Sequence, residues 1–317
     1  MIDWSYDLLN EPEKELLCRL SVFAGGWTLG VAEAVCADEV VDEFDVVDLL
    51  TSLADKSLIV TEEDDEATRY RMLETIRQYS RDRLLEGGDS GQWRSRHLDY
   101  FVELAEEAEP NLIGMHELLW INRLNTELDN LRAALSWAKE NDSEKGLRLT
   151  GALYFFLSAR GYLSEGRDWI STLLDEGSEV TAGVKAKVLL TLGHLVRLQG
   201  HDAEAITHYE ASIALYQEAS DKSDLYAAFV GKGTSARRLG DFEAGVTHSK
   251  EALRLAREAN DVIGTMQALN SLGNALMHMG NDVEAKQAPG GSSFYCAEGT
   301  NQAIYVRLGQ QSCPDRS

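Results

Sequence analysis

Several groups of side chains in this sequence have types that could do chemistry, and for most of them the spacing argues otherwise. Glu106, Glu107 and Glu109 offer carboxylates for acid–base work. Such work needs two carboxyl groups facing one space with their pKa values pushed apart, and near neighbours on a helix point in different directions. They read as a solvated face. His194, His201 and His208 recur every seven residues, which on one helix would make a stripe able to hold a metal. Gly200 interrupts that helix, leaving His201 in a turn and His208 on the next helix, so they share no metal site. Cys18, Cys36, Cys296 and Cys313 have no metal-ligand spacing and are too sparse for a disulfide framework, which makes buried thiols of the first two. There is no Gly-x-Ser-x-Gly elbow for a nucleophile and no Gly-x-x-x-x-Gly-Lys-Ser/Thr loop to cradle phosphates. Lys145-Gly146 and Lys232-Gly233 lie in helical surroundings with no strand before them. We therefore expect no catalytic centre, no cofactor and no metal, and no ATP hydrolysis by this chain.

One further set emerges when the sequence is laid over itself. Gly193, Gly233 and Gly273 are spaced forty positions apart, and so are Gly200, Gly240 and Gly280. A fixed period of this size is the mark of a stacked repeat. Each unit reads as helix, turn, helix. The first glycine lets two helices approach closely, and the second ends helix A with a positive φ. If helix A lines the inner curve, its inward, solvent-facing positions are Lys187, His194 and Arg197, then Thr234, Arg237 and Arg238, then Asn270, Asn274 and His278. Arginine and asparagine in such a strip are suited to gripping carboxylates, phosphates or an extended backbone. We expect Lys187, His194, Arg197, Arg237, Arg238, Asn270, Asn274 and His278 to bind a partner. Charge reversal at Arg237 and Arg197 should then abolish binding of an acidic partner while leaving melting unchanged. The units resemble tetratricopeptide repeats of the longer kind found in bacterial regulators. The position where an aromatic is usual holds Leu189, Phe229 and Leu269, so two of the three units depart from that pattern, and the closing proline is absent.

Composition narrows the partners. The 317 residues carry a net charge of −23, with 44% hydrophobic and 26% charged residues. That balance opposes non-specific binding to phosphate backbones or anionic membranes. No apolar run approaches the ~20 residues that span a bilayer, and the N-terminus lacks a basic segment followed by an apolar one, so we expect a cytoplasmic protein.

The first ninety residues supply helices and a hairpin. Asn10 can cap a helix with Pro12 in its first turn and Leu16, Leu17, Leu20 and Phe23 on one side. Thr28 caps a second helix through Cys36. A third runs from Phe44 to Asp55 with Val46, Val47, Leu49, Leu50 and Leu53 inward, and Leu58–Val60 with Arg69–Met72 flank an acidic turn as a hairpin. A fourth helix starts at Glu74. Three helices and a wing describe a winged helix, whose third helix would ordinarily enter the DNA major groove. Here that helix carries Asp45, Asp48 and Asp55 against Lys56, and the wing tip is Glu62 to Glu66, so DNA contact is not expected.

The stretches Ile2–Leu9, Arg19–Trp27, Asp55–Leu58 and Tyr70–Tyr79, with Leu128–Ala138 further on, resemble the bacterial signal-transducing ATPases with numerous domains, including LuxR-type regulators. The resemblance implies a winged helix that packs on a nucleotide-binding core and relays its state, followed by tetratricopeptide repeats. The core itself has no counterpart here, though the core of a related protein would be a natural partner.

The fold expected is therefore mainly α: a winged-helix domain at 1–88, degenerate helical repeats at 89–178, tetratricopeptide repeats at 179–286 and an irregular tail at 287–317. Gly87–Gly91 reads as a flexible junction. Helices are expected over Trp93–Ala108, Leu118–Lys139, Gly146–Ala159 and Ser164–Leu174, with Trp120, Trp137, Tyr154, Phe155, Phe156, Tyr162 and Trp169 filling gaps between them. Pro289 and its glycines break the third repeat, which we read as a truncation or frame change near Lys286. The expected function is that of a non-catalytic sensor module binding a protein, a peptide or a small effector through its repeat groove. The alternatives are a winged-helix regulator that binds DNA directly and an inert gene fragment.

Overall fold

A computed structural model describes residues 2–63, 68–175, 180–219 and 223–279. It begins with α1 (Ile2–Asp7) and α2 (Glu11–Leu20). The short strand β1 (Trp27–Thr28) and α3 (Leu29–Cys36) precede α4 (Val46–Asp55), and β2 (Ile59–Glu63) and β3 (Thr68–Met72) lead into α5 (Glu74–Gly87). The start of α2 is set by a capping box: Asn10 Oδ1 accepts from the Glu13 amide and the Asn10 amide donates to Glu13 Oε2, both at 2.9 Å. The apolar spacing after it buries Leu16, Leu17 and Leu20. Glu13 also accepts from Ser52 Oγ at 2.6 Å and Lys56 Nζ at 2.5 Å, which ties α2 to α4.

The expected hairpin is present, and β1 adds a third strand in the antiparallel order β1-β3-β2. Three helices and this sheet form a winged helix. On α4 the buried stripe is Val46, Leu50 and Leu53, while Val47 is exposed, against expectation. Positions spaced by four and three residues share a face, and Val47 lies about 100° round from Val46. Phe44 sits in a separate single turn ahead of α4 and is 86% exposed.

The glycine-rich stretch expected as a flexible junction is a tight turn. Gly88 adopts φ 88°, its amide donates to Leu85, and α6 (Ser90–Ala108) begins two residues later. From there α7 (Glu117–Thr126), α8 (Leu128–Asn141), α9 (Ser143–Ala152), α10 (Tyr154–Arg160) and α11 (Leu163–Asp175) pack in succession. Two of the expected helices are each divided. The break at Glu127 lets its carboxylate take Arg69 Nη1 at 2.5 Å and Asn130 Nδ2 at 2.7 Å. The break at Leu153 follows Thr150, whose hydroxyl donates back to Gly146 and Leu147 carbonyls and competes with the helix.

One hydrophobic core runs from Leu9 of the winged helix to Leu255 of the repeats, with no gap at residue 88. Polar bonds cross the same junction. Asn130 Oδ1 accepts from the Ala24 amide at 2.9 Å and its Nδ2 donates to Gly26 O at 2.8 Å, while Arg96 donates to the carbonyls of Ala34 and Ala37.

The repeats follow as α12 (Ala182–Leu198) with α13 (Asp202–Glu218), α14 (Leu225–Arg238) with α15 (Phe242–Glu258), and α16 (Val262–His278). Gly200 and Gly240 end α12 and α14 at φ 88° and 89°, as their spacing predicts. Gly193 makes room for the buried ring of Tyr209: a Cβ there would lie 2.7 Å from it. Gly231 does the same from the next repeat, at 2.4 Å. Gly280, the break near Lys286 and the tail lie outside the described residues.

Candidate functional site

Each helical hairpin reverses the chain, so α12, α14 and α16 run in one direction and present one face side by side. Along that face lies a groove of about 500 Å³, closed at one side by Tyr154 and Phe155 of α10 and by Glu109 and Pro110. Lys187, His194, Arg197, Thr234, Arg237, Asn270 and Asn274 all line it. Positions dispersed over three forty-residue units thus come together.

Arg238 and His278, expected in the same strip, do not line the groove. Arg238 follows Arg237 by one residue and so leaves the helix in another direction, where its Nε donates to Asp202 Oδ2 at 2.9 Å. His278 lies at the rim, stacked on Phe242 with ring centroids 5.3 Å apart, and its Nε2 accepts from Arg237 Nη1 at 3.1 Å.

The groove is less uniformly basic than the sequence implies. Glu109, read as part of a solvated face, turns into it and meets Lys187 Nζ at 2.5 Å. Burial raises the Glu109 carboxyl pKa above its ordinary value, with Lys187 opposing the shift. Asp224 and Asp261, at the N-terminal ends of α14 and α16, also line it. Arg197 and Arg237 stand at the C-terminal ends of α12 and α14. The groove therefore has an acidic edge and a basic edge, each of the sign that the adjacent helix termini favour.

The floor is polar but closed. His194 Nδ1 lies 2.9 Å from the Tyr209 hydroxyl, its ring stacks on Tyr154 at 4.7 Å, and Arg197 Nε donates to the same hydroxyl at 3.3 Å. Burial, aided by Arg197, lowers the His194 pKa to about 3, so the ring is neutral near pH 7. Arg197 is thus engaged in holding the fold, whereas Arg237 bonds only to a neighbouring imidazole among its hydrogen bonds to described residues. Asp224 and Asp261 sit at helix starts, where a capping aspartate is the ordinary reading, and Glu109 enters from a turn far back in the chain. None of the three carries a sequence signal of binding.

The other sequence-level candidates are accounted for by packing. Cys18 and Cys36 are buried free thiols, and burial pushes Cys36 up to about 12. Gly146 fits against Ala138 and Leu173, where a Cβ would come within 2.9 Å of either, so Lys145-Gly146 is a helix contact. His194, His201 and His208 lie on α12, in the turn and on α13.

Comparison with known proteins supports the N-terminal winged helix. Residues 9–85 match the family described as winged helix-turn-helix domain. Proteins of Mycobacterium tuberculosis and Mycobacterium bovis named as HTH-type transcriptional regulators are 35% identical over 271 residues, which is 82% of this chain and 30% of theirs. The chain thus spans under a third of the length of these relatives. An uncharacterised protein of Mycobacterium tuberculosis is 38% identical over 97 residues, 30% of this chain and 25% of its own. Among solved structures, the Pyrococcus horikoshii signal transduction ATPase with numerous domains, a protein with a tetratricopeptide repeat sensor, aligns over 89% of this chain and 50% of its own, at 14% identity and a TM-score of 0.41. This chain is therefore similar, over most of its length, to part of a group of larger proteins named as transcriptional regulators.

Proposed function

We propose that this chain is a non-catalytic regulatory module whose repeat groove binds an acidic segment of a protein, with the winged helix relaying occupancy. The convergence of six expected binding residues on one groove carries the reading. Arg237 at the basic edge offers a guanidinium fork to a carboxylate, and Asn270 and Asn274 offer amides to an extended backbone. The unbroken core between the repeats and the winged helix gives a packed route between them. In a longer protein of the kind the relatives represent, such a module would bias the activity of the remaining chain.

The test is binding of a short glutamate-rich peptide to the full chain by fluorescence polarisation. Arg237→Glu should weaken it about tenfold or more, since a lost charge-assisted contact becomes repulsion. Equal affinity in the variant would refute the reading. Arg197→Glu is a poorer variant than the sequence implies, because it also removes a bond to Tyr209.

A second reading, direct DNA binding, is favoured by the matched winged helix-turn-helix family and the names of the relatives. The acidic face of α4 weighs against it. Association with duplex DNA that weakens steeply with salt would support it, and no association at low salt would exclude it.

A further inference from the structure

A second concavity, of about 470 Å³, opens where the end of α2 and helix α5 meet α6 and α8. Its wall holds four arginines, Arg77, Arg81, Arg94 and Arg132, with two carboxylates, Asp129 and Glu140. That is an unusual concentration in a chain of net charge −23. Two of the arginines are already held: Arg77 bonds Glu74 at 2.7 Å, and Arg132 bonds Glu165 at 2.7 Å and Asp129 at 3.2 Å.

The other two are not. Among the described residues neither Arg81 nor Arg94 has a carboxylate within ion-pair distance, and the buried Nε of Arg81 has no hydrogen-bond partner. Arg94 lies over the Trp137 ring at 5.2 Å, and burial, with Arg81 nearby, lowers its pKa against the opposing pull of Glu140. Two guanidiniums thus share a partly enclosed site with no direct ion pair, the Glu140 carboxylate on the same wall acting on Arg94 only at longer range. His97 lines the same cavity. It is 2% exposed, and its Nε2 also lacks a partner. An orphaned buried ring nitrogen costs free energy unless something completes it.

We propose that this cavity is an oxyanion site that takes the phosphate group of a small molecule, with Arg81 and Arg94 as its charged donors and His97 Nε2 as a neutral one. A phosphate monoester carries a charge of about −1.5 to −2 near pH 7, which matches two unpaired guanidiniums better than a single carboxylate does. Its three oxygens suit planar forks approaching from different helices. Because Arg81 belongs to α5 of the winged helix and Arg94 to α6, an occupied site would join the winged helix to the helices that follow it.

The experiment is isothermal titration of the full chain at low ionic strength with inorganic phosphate, glycerol phosphate and acetate. Saturable one-to-one binding of phosphate or its ester, with none of acetate, is expected. Tighter binding of glycerol phosphate would identify an ester as the ligand, and equal binding the free ion. Arg81→Gln and Arg94→Gln should each weaken binding about tenfold or more, and Arg83→Gln, on α5 but outside the cavity, should not. If circular dichroism shows either glutamine variant unfolded, Arg94→Lys, which keeps the charge and loses the fork, must still weaken binding. Absence of phosphate binding, or binding that survives these substitutions (an adventitious ion only), would overturn the proposal.

Discussion

In the winged helix, ionisable side chains are used to fasten elements together: Glu13, 3% exposed, joins α2 to α4, and Arg19, 3% exposed, reaches the Cys36 carbonyl and Asp38. In the repeats small and uncharged groups take a larger part in the fastening, beside charged contacts such as Arg238 with Asp202 and Arg197 with Tyr209. Ser212 donates to the Ala186 carbonyl, Ser249 meets Ser271, and glycines seat Tyr209, while charges gather at the rim of the groove. The contrast is between charge used for cohesion and charge left for contact. A removed charge should lower stability in the first region and alter binding in the second.

The largest effect expected is from Glu13→Ala, which strips the cap, Ser52 and Lys56 of their shared acceptor. It should cost about 2–4 kcal/mol in urea unfolding, discounted from a fully buried pair because Lys56 is 38% exposed. Asn130→Ala comes next, at about 1–3 kcal/mol, since it orphans the Ala24 amide and the Gly26 carbonyl across the junction. If it proved neutral, the two regions would be less firmly joined than their shared core implies.

Acid should expose a third difference. Burial lowers the His97 pKa from 6.5 to about 4, so below pH 6.5 the unfolded chain takes a proton that the folded chain refuses. Stability should fall with pH across that window by at most about 1.4 kcal/mol per unit from this residue. His97→Phe, among the rings of Phe23 and Phe101, should flatten the slope between pH 6.5 and 4.5, and an unchanged slope would remove His97 as the cause. The lowered carboxyls of Glu13 and Asp38 act further down, because stability they confer above their ordinary values of 4.5 and 3.8 is lost as pH falls through the lower folded values. The smallest stability change belongs to Arg237→Glu, within about 0.5 kcal/mol by thermal melting, despite its expected loss of peptide binding.

What could be read from the sequence was what repeats or stays local. The glycine period placed the inner helices, and their helical spacing brought Lys187, His194, Arg197, Arg237, Asn270 and Asn274 to one groove. The capping box at Asn10 and the hairpin were equally local. Asn130 bonds residues more than a hundred positions away, and no local pattern announces that. The break at Glu127 has no glycine or proline to mark it, and Gly151 before Leu153 is a weak mark, since the demands that cause the breaks come from other helices or from a hydroxyl turned back on its own turn. Arg238 shows the limit of periodicity: it places a Cα on a helix, but a long side chain at the last turn follows its nearest carboxylate.

Tyr209 carries a consequence for motion. Its ring is wedged between Gly193 of one repeat and Gly231 of the next, while its hydroxyl touches His194 and Arg197 at the groove. One rigid side chain therefore both spaces two repeats and reaches the groove. A ligand taken up as proposed that drew Arg197 off that oxygen would act on the ring that sets these two repeats against each other.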